Sequence, residues 1–222
     1  MIIVIGSPLF LPGSADRPSA AAGLPVTIAA AAADLDHEVQ LVGRVGEDPA
    51  GDATLLALSR SGIGHVAMLR DPGSVTPALP QPEPGTDEIA TDPLTEAEEA
   101  LTSGLSTIEA PTLDPGDVEL ALRYLANPTV IVVAEALDDG ALQVAADAAA
   151  YAGASLIVIA DGGAPPARAL DEAIVLGAPV DDPDGVFART VGAVAAAIDA
   201  GTDPRTALKD AIAASGWEPA EA

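Results

Sequence analysis

Apolar positions along the chain fall into two kinds of run. Short, nearly continuous stretches occur at Ile2 to Ile5 (IIVI), Glu38 to Val42, His65 to Leu69, Thr129 to Ala134 (TVIVVA) and Ser155 to Ala160 (SLIVIA). Strands buried on both faces of a parallel sheet read this way, because helices cover both sides and leave no polar face. Between them lie Ala- and Leu-rich segments with helical spacing: Thr27 to Leu35, about Ala53 to Ser61, Asp114 to Leu125, Asp138 to Ala152 and Val191 to Ala200. Asp114 followed by Pro115 reads as an N-cap and a first helical residue. Strand and helix in alternation predict an α/β fold of three layers around a mostly parallel sheet. Such sheets take ligands beyond the carboxyl ends of their strands, where Glu135, Asp138, Asp161, Gly162 and Gly163 fall.

Two stretches break the alternation. SPLFLPGSADRPSAAAGLP, after the first strand, is rich in Pro, Gly and Ser and reads as an irregular loop. From about 71 to 111 the chain carries Pro72, Pro77, Pro80, Pro82, Pro84, Pro93 and Pro111 together with Glu96, Glu98 and Glu99. That stretch reads as an acidic, extended linker with one helical turn near Thr95 to Leu101. The 222 residues are therefore expected to form a single α/β domain, 1–222, crossed by this linker.

Composition narrows the chemistry. Only 2% of residues are aromatic, so the core must be built from Ala, Val, Leu and Ile. With no cysteine and two separated histidines, no zinc site or other metal centre is expected. His37 and His65 each open a strand and are read as surface or capping groups. The formal charge of −25 and the single lysine, Lys209, would repel polyanions, so neither nucleic acid nor a membrane is an expected partner. MIIVIGSPLF has neither a basic region nor a cleavage site, and the expected location is cytoplasmic.

One segment is suited to anion chemistry. In Asp181 to Gly201, acidic and turn residues including Pro183 and Gly185 lead into an Ala- and Val-rich helix. A helix N-terminus of this kind presents unpaired amides and the positive end of the peptide dipoles.

HEVQLVGRVGEDPAGDATLLALSRSGI, residues 37 to 63, supplies the most specific motif. Gly43, Arg44, Val45, Gly46, Asp48, Gly51 and Asp52 match in order a Gly-Arg-Val-Gly-x-Asp-x-x-Gly-x turn, and the whole resembles the ribokinase or PfkB family of carbohydrate and nucleoside kinases. LDPGDVELAL and the two βα units after it fit the same scheme. The resemblance implies a ribokinase-like fold, with ATP and Mg2+ as cofactors if the chain is active. It implies substrate contacts from Gly23, Thr27, Gly46 and Thr76, and phosphate contacts from Gly185, Val186 and Phe187.

Three departures bear on activity. The family's Gly-Ala-Gly-Asp falls on Gly185, Val186, Phe187 and Ala188, so the base position holds an alanine, which cannot accept a proton. Phe187 is expected to fill space that a phosphate needs. The family's Gly-Gly-Lys-Gly-Ala-Asn falls on Ala22 to Thr27, which puts Thr27 in place of an Asn, and the early Asp and the lid strands find no place in GSPLFLPG. Only ADGGAPPARALDEAIVLGAPV separates the strand at Ser155 from the final motif, so much of the nucleotide-binding half is expected to be missing.

Phosphoryl transfer needs positioning, charge neutralisation and an in-line nucleophile. The resulting expectation is a catalytically inactive member acting as a binding, regulatory or assembly module. The alternative is a minimal ATP-dependent sugar or nucleoside kinase in which Asp182 or Asp184 replaces the base. A third reading, a hydrolase or transferase using Glu135, Asp138 and Asp161, lacks a nucleophile beside them. Expected partners are a second copy of the chain or a protein drawn to the acidic surface.

Overall fold

The computed structural model describes residues 1–14, 17–80, 112–160, 172–179, 182 and 184–217. In chain order the elements are β1 (Ile2–Ile5), β2 (Leu9–Leu11), β3 (Ala20–Ala22), α1 (Leu24–Ala33), β4 (Val39–Gly46), α2 (Pro49–Arg60) and β5 (Met68–Asp71). There follow α3 (Pro115–Tyr124), β6 (Val130–Val133), α4 (Asp139–Ala152), β7 (Ser155–Ala160), β8 (Ile174–Gly177), α5 (Val186–Asp199) and α6 (Pro204–Ser215). Six strands form one sheet in the order β5-β4-β1-β6-β7-β8, every neighbouring pair parallel.

The three layers follow from the alternation of side chains along a strand. Ile2 and Val4 of β1 face a cluster with Val26, Ile28 and Ala29 of α1 and Val191, Val194 and Ala195 of α5. Ile3 and Ile5 face the opposite cluster, with Val118 and Ala121 of α3 and Ala141, Leu142 and Ala145 of α4. Small residues let the first pair of helices come close. A Cβ on Gly192 would lie 2.6 Å from Ala31 Cβ and 2.8 Å from the Ile28 carbonyl oxygen. α3 starts as the sequence predicts, with Asp114 and Asp117 forming a reciprocal capping box.

Several expectations are corrected. The opening stretch is not wholly irregular: β2 and β3 pair antiparallel within it, and β2 is also tied to residues 77–79 through Phe10 N–H to Pro77 O and Leu79 N–H to Phe10 O, each at 2.8 Å. Residues 77–79 are thus part of the fold, although the linker was expected from about 71. The expected helical turn at Thr95 to Leu101 lies outside the described residues. The second strand runs on to Gly46, because Gly43 to Gly46 pair with Met68 to Asp71; the expected turn of the Gly-Arg-Val-Gly motif is strand. The third strand is displaced to β5 by a turn in which Met68 N–H donates to His65 O at 3.1 Å. β8 and α6 were not foreseen. Among the described residues, no helix is long and apolar enough to cross a membrane.

Candidate functional site

From β1 the chain moves outward to β4 and β5, then returns to the other side of β1 for β6, β7 and β8. The switch point between β1 and β6 is where such sheets open a crevice. Gly6 and Ser7 follow β1 there, facing Ala134 and Glu135 after β6. Space at Gly6 is closed by Pro25 in the first turn of α1, whose Cγ would lie 2.5 Å from an added Cβ. Glu135 Oε2 accepts from Ser7 N–H at 2.6 Å, and Ser7 Oγ accepts from Arg44 N–H at 3.2 Å. Burial pushes the Glu135 carboxyl above its ordinary range, opposed by hydrogen bonds from the Ser7 amide and hydroxyl.

Two helix N-termini meet beside this crevice. Gly23 precedes α1 with φ 97°, and Thr27 Oγ1 donates back to Gly23 O at 3.2 Å. A Cβ on Gly185 would lie 3.5 Å from Thr27 Cγ2, so Gly23, Thr27 and Gly185 are brought together. Gly185, at φ 63°, is the residue before α5 and supplies no side-chain cap. The cap comes from further back. Asp182 Oδ1 accepts from Phe187 N–H at 3.1 Å and Oδ2 from Ala188 N–H at 3.0 Å, while Gly185 N–H closes the turn onto Asp182 O at 2.9 Å. These are the amides that a bound anion would otherwise take. The turn leaves Asp184 exposed and Val186 half-buried.

Phe187 corrects the sequence reading. Its ring does not enter the anion space; the residue is 1% exposed and packs in the core, with its ring centroid 5.1 Å from that of Trp217. Side chains leave successive helical positions in different directions, so the amide can face the crevice while the ring points inward. Ala188, which the resemblance aligns with the family's base, is also buried.

Gly46 and Thr76 are used by the fold itself. Thr76 is 2% exposed; its hydroxyl donates to Asp48 Oδ1 at 2.8 Å and accepts from Gly46 N–H at 2.9 Å. Asp48 also accepts from Thr76 N–H at 2.8 Å and Gly51 N–H at 2.7 Å, which caps α2. Burial pushes the Asp48 carboxyl up, but the bonds from Thr76 and Gly51 and the Arg70 charge outweigh it and hold it below the ordinary range. Arg44 pairs with Asp117, tying β4 to the start of α3.

Other candidates have separate places. Asp138 caps α4, accepting from Ala141 N–H at 2.7 Å. Asp161 to Gly163 lie outside the described residues. His37 Nδ1 lies 2.7 Å from Asp199 Oδ2 at the amino end of the sheet, away from the crevice. Among the described residues, no three His, Cys, Asp or Glu side chains gather where they could hold a metal ion. The residues at α5 fit an ATP phosphate poorly, since Asp182 already occupies two amides.

Sequence reasoning missed the reach of Asp182 and the presence of Trp217 behind Phe187. DPDG was a signal for the first, because Pro and Gly in that order fold the chain back on itself. Nothing local links Trp217 to Phe187.

No family model matches the sequence, and no curated protein does. Solved structures do match. A PfkB protein from Polaromonas sp. JS666 superposes with a TM-score of 0.62 at 15% identity, covering 96% of this chain and 94% of the other. The fold is that of the ribokinase/PfkB carbohydrate kinases. Arabidopsis thaliana ribokinase, complexed with ribose and ATP, gives 0.60 at 16% identity over 96% of this chain and 90% of its own. An E. coli chain assigned as a ribokinase II, in complex with ATP and Mg2+, gives 0.62 at 16% identity over 96% and 91%. At these identities the likeness is one of ribokinase-like architecture.

Proposed function

We propose that this ribokinase-like chain has given up phosphoryl transfer and serves as a binding, regulatory or assembly module. One observation carries the reading: the carboxylate of Asp182 occupies the Phe187 and Ala188 amides, at the helix end where a transferred phosphoryl group would need them. A fixed negative charge at that position repels the phosphate as well as displacing it. The alanine at 188 and the overall charge of −25 support the same conclusion. Glu135 at the switch point remains a polar anchor for a small hydroxylated molecule, which such a module would bind without transforming.

The test is turnover of MgATP with a panel of sugars and nucleosides. No turnover is expected, and calorimetry should detect no ATP or ADP binding at millimolar concentration. Turnover that disappears in Asp182→Ala would overturn the reading in favour of a minimal kinase with a relocated base. The exposed carboxylate of Asp184, one residue before Gly185, favours that second reading, and Asp184→Asn tests it in the same assay. ATP and Mg2+ would then be its cofactors, as in the E. coli complex, and the Arabidopsis complex holds ATP with ribose. Assembly is checked by size exclusion with light scattering, where a strictly monomeric chain would argue against homo-oligomer formation.

A further inference from the structure

Phe187 is held at both ends. Its backbone N–H donates to Asp182 Oδ1 at 3.1 Å, and its ring meets Trp217, the only tryptophan in the chain, at 5.1 Å and an interplanar angle of 58°. The two contacts arrive from different parts of the sequence. Asp182 belongs to the turn before α5, whereas Trp217 follows α6, just past Gly216 at φ 71°. With 2% aromatic residues in the chain, a ring-on-ring contact is not ordinary filling of this core.

We propose that Trp217 and Asp182 act as one closing device on the first turn of α5, with Trp217 as a positioning residue. A first helical turn is the part most ready to fray, since its amides have no partner within the helix. Gly185 adds freedom there and gives no cap of its own. Holding the Phe187 ring in the core fixes where that turn begins, and therefore whether the Phe187 and Ala188 amides meet the Asp182 carboxylate. Loosening either contact should loosen the other. The segment after α6 is thereby coupled to the crevice, whether or not the chain has catalytic activity.

The chain supplies its own probe, because all of its tryptophan emission comes from Trp217. In Asp182→Ala, emission should shift to the red and acrylamide quenching should rise severalfold under native conditions. Asp114→Ala, which removes a cap from α3 on the opposite face, should leave both unchanged. In Trp217→Ala, hydrogen exchange at the Phe187 and Ala188 amides should accelerate by about tenfold while β6 and α4 keep their protection. Trp217→Phe should restore most of the protection. If Trp217→Ala does not fold, Trp217→Phe and Trp217→Leu give the same comparison of ring against bulk. Unchanged Trp217 emission in Asp182→Ala, or exchange that accelerates uniformly along the chain, would overturn the proposal. Neither readout involves nucleotide, so its failure leaves the proposed function standing.

Discussion

The loop into α2 and the loop into α5 each carry an aspartate that accepts two backbone amides, yet they stand in opposite relation to the kinase motifs. The α2 loop keeps every residue that carries the resemblance, and the structure gives each glycine a steric reason. An added Cβ at Gly43 would lie 2.6 Å from Gly6 O, at Gly46 2.5 Å from Ser74 O, and at Gly51 2.3 Å from Gly46 O. Asp48 joins this loop to Thr76 across β5. In the α5 loop, only Gly185 matches the residues that the resemblance leads one to expect there. Motif agreement in this chain therefore tracks close backbone packing and says little about activity.

The hardest test of that contrast is steric. Gly46→Ala or Gly51→Ala should destabilise by about 3 kcal/mol, since backbone atoms rather than flexible side chains must yield. Chemical denaturation measures it, and a loss under about 1 kcal/mol would break the assignment of the motif to packing. Asp48→Ala comes next. It removes a helix cap and strands the Thr76 amide and hydroxyl, for a loss of about 2 to 3 kcal/mol by the same measurement. Asp182→Ala should cost less, about 1 kcal/mol, because water can reach the freed amides at the crevice. Equal losses for Asp48 and Asp182 would erase the distinction between a structural clasp and a closed-over site.

The smallest effects are electrostatic. Burial leaves the Glu135 carboxyl above its ordinary range, so its ionised form weighs against the fold and stability should rise as pH falls through that raised value. Glu135→Gln, which can still accept from Ser7, should raise the melting temperature slightly at pH 7. A lower melting temperature would mean that the charge is compensated. Asp199 behaves in the opposite sense. Burial pushes it up, but bonds from the Met1 amine, Thr129 and His37 bring it down to about 2, so its contribution is full above the unfolded carboxylate range and is lost as pH falls toward 2. The stability gap between wild type and Asp199→Asn should be constant above the unfolded carboxylate range and close as pH falls toward 2.

The fold was more legible than the site. Continuous apolar strands forecast the parallel sheet, and β7 came out as Ser155 to Ala160 because burial on both faces leaves no polar residue to blur its ends. β8 escaped because IVLG sits between Pro- and Asp-rich flanks, and only its pairing to β7 makes it a strand. β2 and β3 escaped for the same reason, being three residues each and stabilised by partners distant in sequence. At the site, a motif register can assign residues to positions but cannot give side-chain direction. Phe187 therefore looked like an obstruction when its ring lies in the core, and the bonds from the Phe187 and Ala188 amides to Asp182 went unforeseen.

The place of β1 in the sheet has a consequence for how the chain is made. Its four residues are synthesised before either neighbour, Val39 to Val42 on one side and Val130 to Val133 on the other. The strand thus waits, half-paired, until the chain has been synthesised through Val133. Long-range parallel pairing is slow to form and exposes apolar strand edges in the interval. Nascent chains stalled before residue 130 should accordingly depend on chaperones that shield the IIVI segment.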